Sequence, residues 1–145
     1  MNDSTKPDLV ASMGFDETLG LEIDSVASTE VIGHLDPDDR HRQPHGLVHG
    51  GVYCAVVESL GSVGSAAYAM ERGMLGAVGL SNATDFLRSH REGRLEARAT
   101  PIHQGRSQQL WLVEITRASD GKAVARGQLR TYNLVSDDAI GRAGS

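Results

Sequence analysis

Residues 51 to 70 carry a single charge, Glu58, and a run of that length and character has two places to go. It is near the length that spans a bilayer, and it equally suits the buried centre of a soluble fold. A carboxylate in mid-run is expensive in lipid, and Ser59, Gly61, Ser62, Gly64 and Ser65 dilute the run further. The chain as a whole is hydrophilic, with charged residues at 23%. The reading that follows is a helix apolar nearly all round, enclosed by the rest of the chain.

Both ends of this helix are legible. His45-Gly46-Leu47-Val48-His49-Gly50-Gly51 opens it, and a glycine-opened start presents free backbone N–H groups at the positive end of the helix dipole. Arg72-Gly73 closes it, with a cation at the end and a glycine beyond. Glu58 comes nine residues after His49. That step is roughly 180° of rotation and about 13 Å of rise, so the two side chains point away from each other. If both serve one site, a second copy of the chain must supply one of them, as a two-fold dimer with side-by-side helices allows. Glu58 and Ser62 are four apart and share a face, which puts the Ser62 hydroxyl within reach of the carboxylate or of a water beside it. A lone carboxylate in a core helix also has a structural reading, as a paired buried charge.

His41, His45 and His49 recur every four residues, but Pro44 and Gly46 interrupt any helix that would align them, so no metal site is expected. Cys54 is the only cysteine. It allows no intramolecular disulfide, fits a reducing cytoplasmic setting and reads as a small buried apolar residue. Tyr53, Tyr68 and Trp111 read as core by default. The net charge of -5, with no basic stripe, argues against nucleic acid as a partner.

Around the helix the chain reads as strands. Leu19 to Ser25 and Glu30 to Leu35 precede it, and Asp36-Pro37-Asp38-Asp39 then breaks the pattern. Ala77 to Leu87, Arg94 to Ile102, Gln108 to Thr116 and Ala123 to Leu134 follow, joined by His90-Arg91-Glu92-Gly93, His103-Gln104-Gly105 and Ser119-Asp120-Gly121 as tight reversals of an antiparallel meander. Leu95, Ala97 and Ala99 alternate with Arg94, Glu96 and Arg98, and Leu110, Leu112 and Val113 with Ile115 mark the next strand as half-buried. At 145 residues the chain is one domain. Residues 15–135 are expected to form it, between flexible segments at 1–14 and 136–145 with no secretory signal. The class is α+β, one long helix covered by a sheet that must curl around it.

Arg42-Gln43-Pro44-His45-Gly46-Leu47-Val48-His49-Gly50-Gly51, followed by Glu58-Ser59-Leu60-Gly61-Ser62, resembles the hotdog-fold acyl-CoA thioesterases of the phenylacetate-type and aroyl-CoA branch. That branch includes 1,4-dihydroxy-2-naphthoyl-CoA and 4-hydroxybenzoyl-CoA thioesterases. The resemblance continues through Val78-Gly79-Leu80, Arg88 to Arg94 and Trp111 to Ile115, and covers roughly residues 15 to 134. It implies a hotdog fold, a long central helix wrapped by a curled antiparallel sheet of five to six strands. It also implies a homodimer with shared sites that pairs into a dimer of dimers, a homotetramer. The substrate would be an acyl-CoA, with no cofactor and no metal, since coenzyme A belongs to the substrate.

Residue by residue, the resemblance makes Glu58 the carboxylate that attacks the thioester carbonyl or activates water. The Gly50 N–H becomes the donor that polarises the thioester oxygen, with Gln43 assisting. His49 orients the carbonyl end, and Ser62 positions a water. Arg88, with Arg106 and Ser107 in the loop after Gly105, falls where relatives contact coenzyme A, although Arg106 replaces a small hydroxyl residue of one relative. The alternative to core packing for Tyr53, Tyr68 and Trp111 is that they line an acyl pocket. The alternatives are a hotdog enoyl-CoA hydratase or dehydratase, against which the helix glutamate argues, and a non-catalytic acyl-CoA-binding protein.

Overall fold

The computed structural model describes residues 14–136; the expected flexible ends fall outside this range except for Gly14 and Ser136. The elements in chain order are α1 (Phe15–Leu19), β1 (Glu22–Ala27), β2 (Glu30–Leu35), a 3-10 turn (Asp39–His41), α2 (Gly50–Glu71), β3 (Gly76–Phe86), β4 (Leu95–Gln104), β5 (Gln108–Arg117) and β6 (Ala123–Leu134). The six strands form one antiparallel sheet in the order β1-β2-β4-β5-β6-β3, and α2 touches every one of them. This is the hotdog architecture, a helix inside a curled sheet.

The serine- and glycine-rich face of α2 explains how so plain a helix packs so closely. A Cβ on Gly64 would lie 2.5 Å from Cη2 of Trp111, and one on Gly61 would lie 2.6 Å from Cδ2 of Leu129. Both partners are fully buried. Glycine at these positions lets the helix rest directly on the sheet, and larger side chains would overpack it. No helix among the described residues is long and apolar enough to cross a membrane.

Four details differ from the sequence expectations. Leu19 belongs to α1, so β1 starts at Glu22. A five-residue helix between two positive-φ glycines, Gly14 at 59° and Gly20 at 76°, is too short to show a period. On β5 it is Gln109, Trp111, Val113 and Ile115 that are buried, while Leu110 and Leu112 are half-buried on the other face. The Asp36 to Asp39 break leads into a 3-10 turn that runs on to His41, with Asp38 as N-cap accepting from the Arg40 N–H at 3.1 Å.

The largest difference is β3. It does not pair with β4 in a four-strand meander but lies at the far edge beside β6. β6 has two edges; β5 occupies one and leaves the other for β3. The segment after Phe86 is accordingly a crossing loop rather than a hairpin. It folds against the chain entering α2, through Val48 N–H to His90 O at 2.8 Å, Arg42 Nε to Arg91 O at 3.1 Å and Arg91 Nη1 to His45 O at 2.9 Å.

Candidate active site

The start of α2 is built by capping. His49 is the N-cap, with extended backbone (φ -64°, ψ 136°), and its Nδ1 accepts from the Gly51 N–H at 2.8 Å. The imidazole proton therefore sits on Nε2. Val52 N–H turns back to His49 O at 2.9 Å, whereas the Gly50 N–H has no acceptor among the described residues. It is a free donor of this first turn, aligned with the helix dipole. A Cβ on Gly50 would meet the Phe86 ring at 2.8 Å, so glycine keeps the backbone accessible beside that ring.

The loop leading in is tied to itself. Gln43 N–H donates to Leu47 O at 2.8 Å and Gly46 N–H to Gln43 O at 2.9 Å, with Gly46 at φ 82°. The Gln43 Oε1 accepts from the His45 N–H, which leaves its NH2 group as the outward donor. Gln43, Gly50, Tyr53, Phe86 and Arg88 line one cleft of about 260 Å³. Arg88 is anchored there by Nη1 to Ala123 O at 2.7 Å. The structure thus brings together Gln43, Gly50 and Arg88, three of the residues that the resemblance singles out. The His49 side chain lines a neighbouring cleft of about 370 Å³ with Phe15, Leu19, Arg40 and Arg42, because its ring is turned back to cap Gly51. His41 is buried and structural. Its Nδ1 accepts from the Asp38 N–H at 3.0 Å, and its Nε2 donates to Leu19 O at 2.5 Å.

Tyr53 contributes its ring to the first cleft and tilts against Phe86 at 5.9 Å. Its hydroxyl is buried without a hydrogen-bond partner among the described residues, and burial pushes it up to about 12, so it stays neutral. An unpaired buried hydroxyl is a net loss to folding. Tyr53→Phe should raise stability in urea denaturation by about 1 kcal/mol; a fall of that size would show that the hydroxyl is satisfied in the assembled protein.

Glu58 lies eight residues along from Gly50, about 12 Å by helix rise, and does not line either cleft at the helix start. It is half-buried. Its Oε2 accepts from Asn82 Nδ2 at 3.3 Å, and its Oε1 lies over the Cα of Gly79, where a Cβ would come within 2.5 Å. Ser62 shares the helix face but makes no hydrogen bond to the carboxylate among the described residues. The partner is instead Asn82 on β3, which no helical spacing could reveal.

Arg106 and Ser107 stand at the other end of the molecule from Arg88. Their loop is held by Asn133, whose Nδ2 donates to Gly105 O and Arg106 O, both at 3.1 Å, and whose N–H donates to Ser107 O at 2.7 Å. Asn133 Oδ1 accepts from Gln109 Nε2 at 2.7 Å, which also donates to Ser65 O at 2.9 Å. The loop is thus tied to α2 at Ser65, about 22 Å along the helix from Gly50. One chain does not unite Arg88 with Arg106.

Known proteins resemble this chain over most of its length. A candidate esterase of Mycobacterium tuberculosis is 44% identical over 133 residues, spanning 91% of this chain and 94% of that protein. The 1,4-dihydroxy-2-naphthoyl-CoA hydrolase of Escherichia coli is 35% identical over 97 residues, 67% of this chain and 70% of that one. The crystal structure of a thioesterase from Haemophilus influenzae superposes with a TM-score of 0.79 at 32% identity, covering 86% of this chain and 85% of its own. The sequence profile of the thioesterase superfamily matches residues 45–124. That match takes in the helix start, Glu58 and the cleft residues Phe86 and Arg88 alike, and the chain belongs to the thioesterase superfamily.

Proposed function

We propose that this chain hydrolyses an acyl-CoA thioester, with an aromatic acyl group such as 1,4-dihydroxy-2-naphthoyl, in sites shared between two copies. The observation that carries this reading is the split within one chain. The free Gly50 N–H, Gln43 and Arg88 share a cleft, while the helix carboxylate stands about 12 Å along the axis against β3. β3 is an eleven-residue edge strand, mostly exposed, and an open edge of that length is a template for pairing with another copy. Two β3 strands paired about a two-fold axis would continue the sheet and lay the helices side by side. Glu58 of one copy then faces Gly50 of the other.

In that site the thioester oxygen accepts from the Gly50 N–H and the Gln43 NH2, which stabilise the negative charge that develops on it. Glu58 from the second copy attacks the carbonyl carbon, giving a mixed anhydride that water then opens, or takes the proton of an attacking water with Ser62 nearby. Either course breaks the C–S bond and releases coenzyme A as the thiolate. His49 caps the turn that aims the Gly50 N–H. Arg88 at one helix end and Arg106 with Ser107 at the other are separated in one chain, but opposite ends meet when two helices run antiparallel. Both sets then offer donors to the phosphates of one coenzyme A. The single cysteine and the coenzyme A substrate support a cytoplasmic setting, and dimers of this kind can pair again into a homotetramer.

Release of free thiol from naphthoyl, benzoyl, phenylacetyl and aliphatic CoA thioesters, compared by kcat/KM, tests the reading. Aromatic thioesters should exceed aliphatic ones by at least about tenfold. Release from none of the panel would refute the function, and an aliphatic preference would refute the acyl class.

A further inference from the structure

We infer that Asn82 is a positioning residue for the Glu58 carboxylate, an inference that rests on the function proposed above. Its placement depends on a β-bulge. Gly79 pairs with Thr131 and Ser81 with Arg130, so Leu80 is one residue more than β6 can match. In a regular strand residues 79 and 82 would face opposite sides. The extra residue re-phases the strand, so that Gly79 and Asn82 both face α2 at Glu58.

The Asn82 carboxamide is then held at both ends. Nδ2 donates to Cys54 O at 3.0 Å and to Glu58 Oε2 at 3.3 Å, while Oδ1 accepts from Thr84 Oγ1 at 2.7 Å. A carbonyl and a carboxylate only accept, so the NH2 must face α2 and the amide has one orientation. Thr84 in turn fits because Gly127 opposite it lacks a side chain; a Cβ there would stand 2.6 Å from the Thr84 hydroxyl. Cys54 lies one turn before Glu58, so Asn82 fastens the glutamate side chain to the helix that carries it. A neutral donor orients the carboxylate without neutralising it, as an arginine or lysine would. The consequence is one fixed approach for a side chain with three rotatable bonds, the kind of preorganisation that raises kcat rather than affinity.

Asn82→Ala should lower kcat for the best aromatic CoA thioester by about 10- to 100-fold and leave KM within about twofold, since a hydrogen bond to a charged group is lost from the reacting side chain alone. Thr84→Val, which frees Asn82 Oδ1, should show the same kcat-against-KM split more weakly, and Thr84→Ser should restore the rate. An unchanged kcat in Asn82→Ala, or equal loss in Thr84→Val and Thr84→Ser, would overturn the role. A readout independent of turnover separates this from failure of the thioesterase reading. In the crystal structure of Asn82→Ala the Glu58 carboxylate should leave its place over Gly79, and an unmoved carboxylate would overturn the positioning role whatever the substrate proves to be.

Discussion

Replacing Glu58 by glutamine should reduce thiol release by about 10³-fold or more, within the range lost when a positioned acid–base group is removed, while the protein folds and assembles as before. Glutamine has nearly the same shape and keeps an oxygen to accept from Asn82 Nδ2, now at 3.3 Å. The half-buried position therefore gains no cavity and strands no donor. Glu58→Ala should be equally inactive but also leave Asn82 without its acceptor. Turnover within about tenfold of the parent in the glutamine variant would remove Glu58 from the chemistry and leave only its structural reading as a paired buried carboxylate.

Gly50→Pro should have the second large effect, because the local backbone permits deletion of one hydrogen-bond donor and little else. Gly50 is the first residue of α2, where proline is tolerated because its missing N–H would be unpaired within the helix in any case. The residue before a proline must be extended, and His49 already is, at φ -64° and ψ 136°. Removal of a donor from an oxyanion site typically lowers kcat by about 10²- to 10³-fold. Gly50→Ala is the control. It brings a Cβ to the same Phe86 ring, which is 57% exposed and free to yield, but retains the N–H. Alanine should lose far less activity than proline, and equal losses in the two would assign the effect to crowding rather than to the donor.

What could be read in the sequence was local. The helix from Gly50 to Glu71, its closing glycine and the lone carboxylate within it follow from composition over one window, and five of the six strands start within one residue of their expected positions. The opposition of His49 and Glu58 follows from helix geometry alone. What escaped was set by pairing between distant segments. The sequence spacing suggests that β3 neighbours β4, yet the free edge of β6 takes it. The bulge at Leu80 exists only in register with β6, so alternation along β3 cannot show that Asn82 faces Glu58. Ser62 has the right spacing for the carboxylate, but the hydrogen bond that the structure shows there comes from Asn82 on a neighbouring strand. The resemblance made His49 a substrate contact, and that its Nδ1 also caps Gly51 shows only in the structure.

The central claim is that each site combines Gly50 of one copy with Glu58 of the other, and subunit mixing tests it most directly. Glu58→Gln and Gly50→Pro dimers, each nearly inactive alone, are dissociated, mixed in equal amounts and reassembled. About half of the dimers are then mixed, and each of these holds one site with both residues intact, so activity should return to about a quarter of the parent's. If mixed dimers form, as mass spectrometry would verify, and activity stays at the level of the two variants, Gly50 and Glu58 do not act across the dimer.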